Sequence, residues 1–319
     1  MESEENWETV SLTDLKPEKR ELVGKKNTPV MEVQVETHAK EEEKKSEPVR
    51  EPLRAPKAEE KKPENGDAPL RIALRYGEFK EIIGLLNAVK NEVKLNFGPE
   101  GMEAKAIDPA HVGMIEIRIP REAFSEYYLQ GNLATWTLDI DRLKKIIPQG
   151  SKDDIIELEG GESRLVMTVG PSKTYYELLD SQSVTVPHLP VIMTDSSFVM
   201  NASTFRNVLK AAEHVSDAIR FTLNKDGLKM LAFSDGEESE SRFTKDMLKE
   251  IVCNEQTRAA YPLDYLLKLA MAMKTVDEIK FQFRSDYPAV IDFSVESLNR
   301  MSRDHRTEVK YLLAPRMEQ

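Results

Sequence analysis

A single offset of 126 residues lays two stretches of this 319-residue chain on each other. Phe79 falls on Phe205, Ile82 on Val208, Ile83 on Leu209, Val93 on Ile219, Leu95 on Phe221, Gly101 on Gly227 and Ala106 on Ala232. Further along, an offset of 123 carries Leu143 onto Leu266, Ile146 onto Leu269, Ile156 onto Ile279 and Leu158 onto Phe281. Apolar positions and turn glycines coincide, so the chain holds one folding unit twice. Each copy of about 125 residues is long enough for a core of its own. A duplicated unit points to pseudo-symmetric assembly more than to one asymmetric catalytic cleft.

Within each copy the apolar period switches between 2 and 3.6. Ile72, Leu74 and Tyr76 alternate as a strand, then Phe79, Ile82, Ile83, Leu86 and Val89 follow helical spacing. Alternating runs at 92–97, 101–107 and 113–119 come next, with a Gly98-Pro99-Glu100-Gly101 turn between the first two. The unit is β-α-β-β-β. It recurs with strands near 135–139, 154–159, 164–169 and 174–179 and a helix at 141–147, and the second copy places helices near 203–214 and 262–274. The fold class is α+β, with the helices expected on one side of their sheets.

Residues 1–70 differ in kind. They carry seven of the 17 prolines, dense charge of both signs and a single aromatic, Trp7. That composition buries too little apolar surface to offset chain entropy, so a disordered extension is expected, with Trp7, Val10, Leu12 and Leu15 as a candidate partner-binding motif. The expected organisation is an extension at 1–70, a first domain at 71–180, a linker at 181–197 containing Pro187 and Pro190, and a second domain at 198–319. No apolar run approaches the roughly 18 residues of a membrane span, and the acidic N-terminus does not resemble a signal peptide. A cytoplasmic protein is expected. The lone Cys253 forms neither an intrachain disulfide nor a cysteine metal cluster.

No phosphate loop, dinucleotide fingerprint, paired-histidine metal motif or nucleophile elbow is present. The five histidines lack metal-ligand spacing, and the carboxylates beside helix starts suit capping. Neither a catalytic residue nor a metal site is expected. The helices are more specific. Wheeled at 100° per residue, the position opposite the apolar stripe is Gly84, Lys145, Lys210 and Lys268 in turn, with Lys80, Arg142 and Arg206 on the same half and Glu81 as an acidic exception. A chain of net charge −11 that gathers cations on one repeated face is built to meet a polyanion there. No Arg/Asn/Gln set suited to base edges accompanies them, so contact would be with phosphates and indifferent to sequence.

The segments Ala106-Ile107-Asp108-Pro109-Ala110-His111-Val112, Ser216-Asp217-Ala218-Ile219, Lys225-Asp226-Gly227-Leu228-Lys229 and Tyr311-Leu312-Leu313-Ala314-Pro315-Arg316-Met317-Glu318 carry a resemblance over residues 71–319. They resemble the proliferating cell nuclear antigen family of sliding clamps in its archaeal-eukaryotic form. The resemblance implies three subunits closed head to tail into a ring, with helices lining a hole for duplex DNA. It also implies a processivity factor without cofactor, opened by a separate clamp loader, replication factor C. Joining strands would include Tyr175 and Tyr176 on one side and Ser241 and Phe243 on the other. A client-peptide pocket for DNA polymerase, flap endonuclease and DNA ligase would use Ile107, His111, Val112, Leu189, Pro190, Pro288, Leu312, Ala314 and Pro315. Two rivals are a clamp paralogue in a mixed ring or repair scaffold, and a metal-dependent DNA-processing enzyme on the same duplicated fold.

Overall fold

The computed structural model describes residues 7–9, 68–295 and 306–318. The chain opens with β1 (Trp7–Thr9). The first copy is β2 (Leu70–Arg75), α1 (Tyr76–Asn87), β3 (Glu92–Gly98), β4 (Gly101–Ile107), β5 (Gly113–Pro120) and β6 (Glu126–Leu129), then β7 (Ala134–Asp139), α2 (Ile140–Ile146), β8 (Ile155–Gly160), β9 (Arg164–Val169) and β10 (Ser172–Glu177). The second copy is β11 (Ser196–Asn201), α3 (Ala202–Ala212), β12 (Ala218–Asn224), β13 (Gly227–Ser234), β14 (Glu237–Thr244) and β15 (Glu250–Val252), then β16 (Thr257–Pro262), α4 (Leu263–Ala272), β17 (Glu278–Phe283), β18 (Ala289–Val295) and β19 (Thr307–Leu313). A terminal strand, β20 (Arg316–Glu318), follows. The β-α-β-β-β unit thus occurs four times among the described residues.

The coinciding glycines have a common cause. Gly101 and Gly227 open the second strand of equivalent hairpins at φ +127° and +154°, a region that favours glycine. A Cβ at either would run into the carbonyl oxygen of Ile119 or Phe243. The hairpin can close there only without a side chain.

Three sheets result, with strand orders β15-β11-β17-β18-β19-β5-β4-β3-β7, β10-β9-β8-β2-β6 and β1-β20-β16-β12-β13-β14. The nine-stranded sheet runs through both copies. β19 lies antiparallel to β5, from Glu308 opposite Arg118 to Leu313 opposite Gly113. The expected pair of separate cores is correspondingly one continuous cluster, in which Phe281 stacks on Phe221 at 4.7 Å in the second copy and Phe97 meets Trp136 edge-on at 4.7 Å in the first.

β2 begins at the fully buried Leu70, one residue before the expected 71, and β11 at Ser196, two before the expected 198. Trp7–Thr9 correct the expectation for the N-terminal extension, since they form a strand paired with β20. Val10, Leu12 and Leu15 lie outside the described residues, as does the disorder expected elsewhere in 1–67.

Candidate functional site

The four helices adjoin in the order α2-α1-α4-α3, and their lysines follow. Lys80, Lys145, Lys210 and Lys268 are exposed. Lys268 Nζ lies 3.4 Å from Asp264 one turn before it and over the Tyr265 ring, while Lys80 sits over the Tyr76 ring at 5.1 Å. Lys144 Nζ donates to Asn87 Oδ1 at 2.7 Å, joining α2 to α1. A groove between the helices is bordered by Lys80, Lys144, Lys268 and Lys274. Lys144 and Lys274 are not among the positions opposite the apolar stripes, and nothing in their spacing shows that they converge here.

The carboxylate at this groove, Glu81, is not an outward acidic exception. It is 2% exposed and accepts the backbone N–H groups of Lys274 at 2.5 Å and Thr275 at 3.0 Å. Gly84 faces the same neighbour, since a Cβ there would lie 4.0 Å from the Ala272 methyl, an ordinary van der Waals contact. Helix α1 packs against α4 on the side the wheel labelled outward. A second buried glutamate of α1, Glu78, accepts from the Thr307 hydroxyl at 2.9 Å. Both carboxylates bind the first copy to the second.

Arg206 is likewise committed to structure. Its Nε donates to the Ala270 carbonyl at 2.8 Å and a terminal nitrogen donates to that of Met273. Helix α4 has no basic residue in its last turn, so a cation from α3 meets its otherwise unpaired carbonyls. Arg142 lies 3.7 Å from Glu177 and 5.2 Å from the Tyr176 ring centroid.

At the other end of the α4 interface Asp108 organises the loop that carries His111. Its Oδ1 accepts the N–H groups of Val112 and Gly113 at 2.7 and 2.6 Å, and its Oδ2 accepts that of Ala110 and the Tyr265 hydroxyl. His111, exposed at φ +59°, is held at the turn by its N–H bond to the Asp108 carbonyl. The Ala314 N–H donates to the Val112 carbonyl at 2.8 Å, which brings the loop to the C-terminal run. Leu312 and Ala314 are buried with Pro288 and Pro315, whereas Ile107, Leu189 and Pro190 are half-buried. Leu189 and Ile192 pack against the core. Their linker neighbours Val191 and Met193, which sequence reading did not single out, stand 86% and 52% exposed.

Two sheet edges complete the candidate surfaces. β10 and β14 are terminal strands of their sheets. Tyr175 projects from β10 with the Arg164 guanidinium 4.3 Å from its ring. The Tyr176 side chain, expected at the joining edge, is committed within the chain instead. Strand alternation turns it inward, where it is 1% exposed, accepts the Asp139 N–H at 2.8 Å and donates to the Asp139 carbonyl. On β14, Ser241 and Phe243 are half-buried, and Phe243 packs against the core. The exposed positions include Glu237, Glu238 and Glu240. Hydrogen bonds from Arg242 and Lys229 bring the Glu240 carboxyl down to about 2.

Among the described residues no group of three or more His, Cys, Asp or Glu is placed to hold a metal ion. No described helix is long and apolar enough to cross a membrane.

Comparison with known proteins agrees with this geometry. The family described as proliferating cell nuclear antigen, N-terminal domain, matches residues 74–174. A DNA polymerase sliding clamp from Thermoplasma acidophilum is 37% identical over 250 residues, covering 78% of this chain and all of that protein. One from Picrophilus torridus is 39% identical over 248 residues, covering 78% of this chain and 99% of that protein. The solved complex of the C-terminal region of FEN-1 with A. fulgidus PCNA superimposes with a TM-score of 0.69 at 26% identity, covering 78% of this chain and 99% of that one.

Proposed function

The chain belongs to the proliferating cell nuclear antigen family, and on that premise we propose that it is a DNA polymerase sliding clamp working as a ring of three copies around duplex DNA. The internal symmetry of the chain supports the ring. β5, the last strand of the first β-α-β-β-β unit of copy one, pairs with β19, the last strand of the second such unit of copy two. The corresponding strands left over are β14 and β10, both terminal in their sheets. Joining β14 of one chain to β10 of the next repeats the internal pairing rule and leaves neither edge bare.

Helices α1 to α4 then form the inner wall. Lys80, Lys144, Lys145, Lys210, Lys268 and Lys274 offer point charges on long stems, suited to phosphates and unsuited to reading bases. Each phosphate contact displaces condensed counterions, and contacts that are individually weak exchange quickly along the duplex. Retention comes from topology. The convergence of lysines from α1, α2 and the α4 end on one groove is the observation that carries this reading.

The linker and the loop at Asp108 form the client site, where Leu189, Val191 and Met193 offer apolar surface beside the C-terminal run. FEN-1 engages PCNA in the A. fulgidus complex through its C-terminal region. Flap endonuclease, polymerase, ligase and the clamp loader are read as clients of this site. A primed circular template tests the function. The protein, loaded by its loader, should lengthen polymerase products on the closed circle and remain bound, whereas linearising the template should release it. Equal release from both would overturn the encircling ring.

A further inference from the structure

The most N-terminal described residues lie against the most C-terminal ones. β1 runs antiparallel to β20, with Trp7 opposite Glu318, Glu8 opposite Met317 and Thr9 opposite Arg316. On its other side β20 meets β16 through a single pair, Ala260 with Arg316. β1 is therefore the outermost strand of the six-stranded sheet. Were it to leave, the outer edge of β20 would offer a row of unpaired backbone donors and acceptors.

That edge lies where an incoming peptide would need it. β20 follows Ala314 and Pro315 directly, and Ala314 is hydrogen-bonded to the loop at Val112. Arg316 also lines an open cleft with Ala110, Val112, Asp217, Pro262, Asp264 and Tyr265, its guanidinium 2.6 Å from Asp217. A bare strand edge accepts an extended peptide by strand addition, with the main chain supplying hydrogen bonds and neighbouring apolar surface, here that of the linker at Val191 and Met193, supplying anchors. In this chain the place is already taken by residues of the same polypeptide.

We infer that Trp7–Thr9 is a tethered occupant of the β20 edge, so that the N-terminal segment competes with client peptides for their own docking strand. This rests on reading the groove as the client site. Three paired residues make a short ladder, and short two-stranded pairings are marginal by themselves, so the strand can exchange. The 58 residues from Val10 to Asp67 join it to the body. Fully extended they would span at most about 200 Å, so the tether does not prevent departure. It makes return intramolecular, at an effective concentration set by the connecting chain and not by the protein concentration. If β1 holds the edge for between half and nine-tenths of the time, apparent client affinity falls by about two- to tenfold.

The test uses the full chain and a synthetic peptide of the FEN-1 C-terminal region, titrated calorimetrically. Glu8→Pro removes a backbone donor at the centre of β1 and disfavours the strand. It should lower the dissociation constant by about two- to tenfold relative to the parent. Equal constants in the two proteins would overturn the inference while leaving the client groove in place. Absence of binding to both would overturn the groove and the inference together. As a second measurement, Glu8→Cys with Met317→Cys in a Cys253→Ser chain should cross-link within one polypeptide on oxidation, with peptide binding abolished and then restored on reduction. Cross-linking between chains, or an oxidised chain that binds the peptide as well as the reduced one, would overturn the competition.

Discussion

The Tyr265 hydroxyl, on the fourth helix, donates a 2.9 Å hydrogen bond to Oδ2 of Asp108, 157 residues earlier in the chain. One carboxylate thereby fixes the loop of the first copy and fastens it to the second. Burial, then the hydrogen bond and charge of Asp108, push the Tyr265 phenol well above the ordinary tyrosine range. A raised folded-state value means that the neutral phenol stabilises the fold fully below the unfolded value near 10. The contribution is lost as pH climbs beyond it. Tyr265→Phe should cost about 1–2 kcal/mol at neutral pH. Urea unfolding at pH 8 and above pH 10 should show the gap between parent and variant narrowing in alkali.

Glu81 should prove a structural carboxylate. Glu81→Ala strips the Lys274 and Thr275 N–H groups of their acceptor and is expected to destabilise by about 1–3 kcal/mol, with Glu81→Gln milder because an acceptor oxygen remains. Were Glu81 an exposed charge beside the DNA, its removal would leave the melting temperature unchanged and tighten DNA binding. Calorimetric melting separates the two outcomes.

Replacing Lys145, Lys210 and Lys268 together by alanine should reduce loading and shorten polymerase products. The salt dependence should become shallower by about 0.9 in log–log slope for each phosphate left without its lysine. Folding stability should shift by no more than about 0.5 kcal/mol per site. Arg206→Ala should behave differently, lowering stability because it uncaps α4. Fluorescence anisotropy across a salt series, beside melting curves, checks both.

Charge at the open edges should tune the ring. β14 exposes Glu237, Glu238 and Glu240, and Lys173 stands on the strand proposed to meet it. Lys173→Glu is expected to weaken the trimer several-fold, most at low salt, since like charges facing each other oppose association. Sedimentation equilibrium at two ionic strengths reads this directly.

At the client groove, Leu189→Ala should weaken binding of the FEN-1 C-terminal peptide by about 1–4 kcal/mol, the usual range for truncating a central anchor. Trimer mass and DNA retention should not change. Val191→Ser should act in the same direction with no loss of stability, because Val191 is 86% exposed.

Much of this architecture is legible in the chain because duplication doubles every signal. Gly101 and Gly227 mark equivalent hairpins, and apolar spacing locates all four helices to within a few residues. What escapes is contact between elements. β6 and β15 are too short for a period to show. Tyr175 and Tyr176 are chemically alike, and only the pleat decides that the second faces inward. Glu81, Gly84 and Arg206 read as surface positions on an isolated helix, yet each is spent where one helix meets another.

The continuous nine-stranded sheet has a mechanical consequence. In a three-membered ring built on one pairing rule, half the seams lie inside a polypeptide. There the β5–β19 ladder is reinforced by Glu78 with Thr307, by Glu81 with the 274–275 backbone and by Asp108 with Tyr265. The other half have no covalent backup. In the proposed ring, force applied by a loader would thus be directed to the seams between polypeptides, where the ring would part and reclose without either copy being pulled from its neighbour in the same chain.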